Sequence, residues 1–121
     1  MQRLILCALA ALVLSSGQAL AHAQLVKADP RVGSTVAAPP TRLWLRFSQV
    51  LRLAGSGVEL VTPDGRTLLL SPLAQDPSDV RAVIAPLPAN LPAGHYRVRW
   101  RALSPDAHRT QGDFSFTIIG R

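Results

Sequence analysis

Alternation of apolar and charged residues over positions 95–103 is the feature that most limits how this chain can fold. Arginine occupies every second position from 97 to 101, and the apolar residues between and around them are Tyr96, Val98, Trp100 and Ala102. Because successive side chains of a β-strand point to opposite faces, this spacing predicts a strand with one buried face and one solvated, charged face. Residues 112–119 repeat the pattern, with Phe114, Phe116 and Ile118 on the apolar side. Both runs favour antiparallel sheets with one face in a core.

Turn-forming residues cut the rest of the chain into short segments of the same kind. The breakers include Asp29-Pro30, Pro39-Pro40, Pro63-Asp64-Gly65 and Pro92-Ala93-Gly94. They separate seven predicted strands, at residues 24–29, 41–47, 57–62, 66–70, 80–85, 95–103 and 112–119. Short strands at regular spacing, without helical periodicity, predict an all-β sandwich or barrel. The remaining core residues that we predict are Leu43, Leu45, Phe47, Val58, Leu60 and Val83.

Residues 1–21 have the layout of a secretory signal peptide. Arg3 supplies a positive start, residues 4–14 are almost entirely apolar, and Ala19 and Ala21 form a small-x-small cleavage signal. Cleavage after Ala21 predicts a mature domain of residues 22–121 that begins with His22. Cleavage after Ala19 or after Ala23 is an alternative. Cleavage after Ala23 would remove His22 from the mature chain.

The composition of the predicted mature domain excludes sulfur chemistry. The chain has one cysteine, Cys7, and one methionine, Met1, and both precede residue 22. Lysine and arginine number 13 against 7 acidic residues. This basic balance would suggest nucleic acid in a cytoplasmic protein, but export argues against nucleic acid as a partner. We expect a monomer.

His22 would be an unusual metal ligand if it is the first residue of the mature chain. Its free α-amine and its imidazole can then close a six-membered chelate ring on one ion. The α-amine has an ordinary pKa of about 7.7–8.0, so a metal displaces its proton at modest cost.

A second group of donors lies between the last two predicted strands, in Ser104-Pro105-Asp106-Ala107-His108. Asp106 and His108 are two residues apart, so on an extended stretch they point the same way. If successive strands alternate in direction, His22 and this loop share one end of the domain, and His95 lies at the other end. Three nitrogens and one oxygen suit Cu(II), although Zn(II) accepts similar donors.

Enzyme chemistry is less well supported. Ser104, Asp106 and His108 are the residue types of a hydrolase triad, but five consecutive residues cannot readily adopt its geometry. No phosphate-binding loop, cysteine pair or zinc-protease motif occurs. Two other functions remain open. One is a copper-dependent oxidative enzyme of the histidine-brace type, and the other is a metal-free sandwich that binds a partner.

The chain resembles the CopC family of periplasmic copper-resistance proteins over nearly all of its mature length. The resemblance rests on the His22-Ala-Gln-Leu-Val start, on residues 91–101 and on the motifs Ser104-Pro105-Asp106-Ala107-His108 and Gly112-Asp113-Phe114-Ser115-Phe116. It implies a seven-stranded immunoglobulin-like Greek-key β-sandwich. It also implies a non-enzymatic periplasmic protein that binds one Cu(II) through His22, Asp106 and His108. A copper-transporting inner-membrane protein is the partner that the resemblance implies.

The chain departs from the family pattern at three places. The methionine-rich segment that holds Cu(I) in some members is absent, which implies a Cu(II)-only protein. Gln49 stands where members commonly have glutamate, which removes one carboxylate near the predicted site. Ala107 replaces the usual glycine before the loop histidine.

Overall fold

A computed structural model describes residues 22–120, which form two packed β-sheets. The predicted signal peptide lies outside these residues. The nine strands are β1 (Leu25–Asp29), β2 (Thr35–Val36), β3 (Arg42–Phe47), β4 (Gly57–Val61), β5 (Thr67–Leu70), β6 (Ala74–Asp76), β7 (Asp79–Pro86), β8 (Gly94–Leu103) and β9 (Arg109–Ile118). One sheet has the order β1-β3-β7-β6, and the other has the order β2-β9-β8-β4-β5. Among the described residues, no helix is long and apolar enough to cross a membrane.

The predicted all-β sandwich is confirmed, and seven of the strands correspond to the predicted ones. β2 and β6 are additional. β2 has two residues and pairs in parallel with the end of β9, and β6 has three residues and pairs with β7. Segments this short cannot show a period-two pattern, so only the long-range pairing reveals them. β9 also begins at Arg109 rather than at residue 112, because the β8–β9 ladder continues to the pair Leu103–Arg109.

The core lies between the two sheets and contains the predicted apolar residues. All the core residues named above are buried in one cluster. Arg97, Arg99 and Arg101 lie on the exposed outer face of β8, as the alternation predicts. The turn at Pro63-Asp64-Gly65 joins β4 to β5, and Gly65 has a φ of 87°.

Tyr96 makes a side-chain contact that is typical of immunoglobulin-like sandwiches. Its ring is fully buried and stacks on Phe116 at a centroid distance of 5.4 Å. Its hydroxyl donates a 2.6 Å hydrogen bond to the carbonyl oxygen of Pro92, four residues earlier. This is the geometry of a tyrosine corner, which ties the connection before a core strand to that strand.

Tyr96→Phe tests the contribution of this hydrogen bond, because the substitution keeps the ring and removes only the hydroxyl. We expect a loss of about 1–2 kcal/mol in the free energy of unfolding, since the Pro92 carbonyl loses its donor. Urea unfolding of the two proteins measures the difference. An unchanged midpoint would show that the hydroxyl contributes nothing to stability.

Candidate metal centre

His22 and the loop between β8 and β9 lie at the same end of the sandwich. His22 stands just before β1, and His108 is the last residue before β9. The two imidazole rings are perpendicular, with their centroids 4.9 Å apart. The structure therefore brings together the two histidines that the topological argument placed at one end. His95 is at the start of β8, at the opposite end of that strand, where its Nδ1 lies 3.1 Å from the Thr117 hydroxyl.

The loop of residues 104–108 is closed by its own backbone. The Ser104 amide donates to the carbonyl oxygen of His108 at 3.0 Å, and the Ala107 amide donates to the carbonyl oxygen of Ser104 at 2.9 Å. Ala107 has a φ of 69°, in the left-handed region that residues other than glycine rarely adopt. This tight turn places Asp106 and His108 side by side.

Asp106 is held from two directions. The fully buried Ser104 hydroxyl donates to Asp106 Oδ1 at 2.5 Å, and His108 Nδ1 lies 2.8 Å from Asp106 Oδ2. The bond from Ser104, followed by the one from His108, lowers the pKa of Asp106 from 3.8 to about 2. A lowered folded-state pKa means that this carboxylate favours folding above about pH 4, and that the contribution is lost as the pH falls towards 2. Asp106 is therefore a negatively charged carboxylate at neutral pH.

Ser104 is the residue of this loop whose role the sequence analysis missed. It was considered only as a member of a hydrolase triad, and the structure places its hydroxyl on the carboxylate of Asp106, not on an imidazole. The spacing Ser-x-Asp was the available signal, because a serine hydroxyl often bonds to a group two residues away.

His22 Nδ1 is buried and has no hydrogen-bond partner. It is the only such side-chain atom recorded among residues 22–120. Buried polar atoms are nearly always hydrogen-bonded, so each exception requires an explanation. A ligand that binds to this nitrogen would be one.

The three predicted ligands form a row instead of a closed cage. His22 contacts His108, and His108 contacts Asp106. Within residues 22–120 there is no group of three or more His, Cys, Asp or Glu side chains arranged to hold a metal ion. Binding of one ion by all three would therefore require these side chains to move closer together. The α-amine of His22 would add a donor if the mature chain begins at that residue.

Comparison with known proteins identifies the family. Residues 25–119 match the model of the CopC domain. Copper resistance protein C of Escherichia coli is 36% identical over 110 residues, which cover 83% of each chain. The crystal structure of CopC from Methylosinus trichosporium OB3b superposes with a TM-score of 0.73 at 30% identity, over 83% of this chain and 96% of that one. PcoC, described as a methionine-rich copper resistance protein from Escherichia coli, has a TM-score of 0.69 at 33% identity and covers 81% and 99% of the two chains. With its sandwich fold and a match over most of its length, this chain belongs to the CopC family.

Proposed function

We propose that the mature protein begins at His22 and binds one Cu(II) ion through His22, Asp106 and His108. It would act as a periplasmic copper-binding protein in copper resistance or homeostasis, and not as an enzyme. The observation that carries the proposal is His22 Nδ1, which is buried without a partner while the His22 ring contacts that of His108.

The position of this nitrogen suits chelation by an N-terminal histidine. Nδ1 is separated from the α-amine nitrogen by three carbon atoms, so both nitrogens and a metal close a six-membered ring. Nε2 is too far along the ring to do so. The orphaned atom is thus the one that the predicted chelate requires.

Asp106 and His108 are spaced as neighbouring ligands of one ion. Two donor atoms bound at right angles, each at about 2.0 Å, lie about 2.8 Å apart. The distance from His108 Nδ1 to Asp106 Oδ2 is 2.8 Å. Copper can replace the proton between these atoms if the imidazole keeps its other nitrogen protonated. The loop therefore needs little rearrangement to supply two ligands.

The complete donor set would be three nitrogens and one oxygen. This set suits Cu(II), and the Irving–Williams order favours copper over zinc in such a site. Residues 22–121 contain no cysteine or methionine, so the thiolate and thioether ligands that favour Cu(I) are absent. A plane filled by four protein donors also leaves no basal position for a substrate, which favours binding over oxidative catalysis.

Several contacts support a domain that includes residues 22–24. The Ala23 side chain is 1% exposed and belongs to the core cluster, and the Gln24 amide donates to the Ser48 hydroxyl. Cleavage after Ala23 would remove a core residue, so we propose cleavage after Ala21. The predicted signal peptide and the relatives named copper resistance protein C support a periplasmic location. We propose a monomer that exchanges copper with a copper-transporting membrane protein.

His108→Ala tests the proposed site. Structural metal sites with four protein donors supply about 10–16 kcal/mol, so one donor is worth roughly 3 kcal/mol, or more than a hundredfold in affinity. We expect tight one-to-one binding by the protein that begins at His22 and at least a hundredfold loss in His108→Ala, both measured by Cu(II) titration against a competing chelator.

His95→Ala is the matched control, because this exposed histidine lies at the other end of β8. Its Cu(II) affinity should equal that of the unmodified protein. The His108→Ala protein should still unfold cooperatively, since the side chain is half exposed. Equal losses in the two variants would show that copper binds surface histidines nonspecifically and would overturn the proposal.

A further inference from the structure

The first three described residues are tied to both sheets by two hydroxyl side chains. Thr110 is the second residue of β9, and its Oγ1 donates a 2.7 Å hydrogen bond to the carbonyl oxygen of Ala23. Ser48 follows β3, and its Oγ accepts the Gln24 amide at 2.9 Å and lies 3.4 Å from the carbonyl oxygen of His22. The Ser48 amide also donates to the Gln24 carbonyl at 2.8 Å.

The bond from Thr110 has a particular place in the topology. Residues 22–24 lead into β1, an edge strand of one sheet, while Thr110 belongs to the other sheet. Thr110 is two residues beyond His108, and Ala23 is one residue beyond His22. This single hydrogen bond therefore connects the two histidine-bearing segments across the gap between the sheets.

Terminal segments of a chain are poorly ordered unless they are tied down. A metal site, by contrast, needs its donors within about 0.5 Å of their bound positions, held there by the residues behind them. The burial of Ala23 holds the segment against the core, and the bond from Thr110 adds a direct connection to the strand that follows His108.

We propose that Thr110 is a positioning residue that holds the N-terminal histidine against the His108 loop before any metal arrives, with Ser48 fixing residues 22–24 to the end of β3. This inference rests on the proposed function in one respect, namely that His22 donates to copper. Ordering of residues 22–24 by the two hydroxyls is a property of the metal-free protein. The two can therefore be tested separately.

Thr110→Val is the principal variant, because valine keeps the shape of threonine and removes its hydroxyl. Thr110→Ser restores the hydroxyl. Thr117→Val is the matched control, since Thr117 lies on the same strand at the end where its hydroxyl faces His95. Thermal unfolding of each metal-free protein verifies that all of them fold.

The first measurement needs no copper. An aminopeptidase should remove His22 from Thr110→Val about tenfold faster than from the unmodified protein or from Thr117→Val, because cleavage requires the segment to detach. Mass spectrometry follows the release. Equal rates in all proteins would overturn the inference, whatever the proteins do with copper.

The second measurement is Cu(II) affinity by chelator competition. Loss of support behind a metal ligand costs about 10–100-fold, so we expect at least a tenfold loss in Thr110→Val, recovery in Thr110→Ser and no change in Thr117→Val. Proteins that keep Ala21 before His22 lose the amine but retain the His22 imidazole as a single donor, so Thr110→Val should cost less affinity there than in proteins that begin at His22. An equal or larger cost in the longer proteins would overturn the inference, since the effect would not depend on the N-terminal chelate. Absence of binding by the unmodified protein would instead overturn the proposed function.

Discussion

Protein that retains Ala21 before His22 should bind Cu(II) about a thousandfold more weakly than protein that begins at His22, since a donor is worth roughly 3 kcal/mol and loss of the amine also opens the chelate ring. The peptide nitrogen that replaces the amine carries its lone pair in the amide bond. His22 Nδ1, His108 and Asp106 then remain as separate single donors.

The experiment compares two proteins that differ only by Ala21. Both should unfold at the same denaturant concentration, because Ala23 and the residues that follow keep their burial and hydrogen bonds. Chelator competition gives the two affinities, and the Cu(II) electron paramagnetic resonance spectrum reports the number of nitrogen donors. Equal affinities and identical spectra would show that the amine is not a ligand, and the site would then need another donor.

Gly94→Ala is expected to be strongly destabilising, with a loss of about 2–5 kcal/mol in the free energy of unfolding. Two independent costs add. Gly94 has a φ of 146°, a conformation that residues with a Cβ rarely adopt. A Cβ at this position would also lie 2.4 Å from Pro63 Cγ and 2.8 Å from Pro63 Cβ. The proline ring is rigid, so it cannot rotate away.

Gly65→Ala separates these two costs. Gly65 has a φ of 87°, but nothing lies within 4 Å of the added Cβ. Only the backbone cost remains, and we expect a loss of about 1 kcal/mol. Urea unfolding of both variants measures the difference. Since a domain of this size has a total stability of about 5–15 kcal/mol, Gly94→Ala should move the midpoint clearly, and equal midpoints would show that Pro63 yields without cost.

The fold was largely predictable because its signals are local. Alternation in β8 and β9 identified the buried face of each strand, and Pro63-Asp64-Gly65 marked the break between two predicted strands. β2 and β6 were missed because two or three residues carry no periodic signal. The start of β9 was placed too late because Arg109, Thr110 and Gln111 have no apolar alternation; their pairing with β8 makes them a strand.

The sequence proposed the members of the candidate site, and the structure gave their arrangement. The assumption that successive strands alternate in direction was enough to place His22 near the loop of Asp106 and His108 and to place His95 far away. The hydrogen bond from Ser104 to Asp106 and the positive φ of Ala107 depend on how the loop closes on itself. The spacing Ser-x-Asp is compatible with that bond, but residue type and spacing do not specify how the loop closes.

By itself, the sequence determined the strand pattern and the apolar face of each strand, because these depend on residues within a few positions of one another. It also predicted His22, Asp106 and His108 as metal donors. Only the tertiary structure decided which segments touch. The close approach of Pro63 to Gly94, the bond from Thr110 to Ala23 and the ring contact of His22 with His108 join residues that are far apart in the chain. Such contacts follow from the packing of the two sheets against each other, which local patterns do not encode.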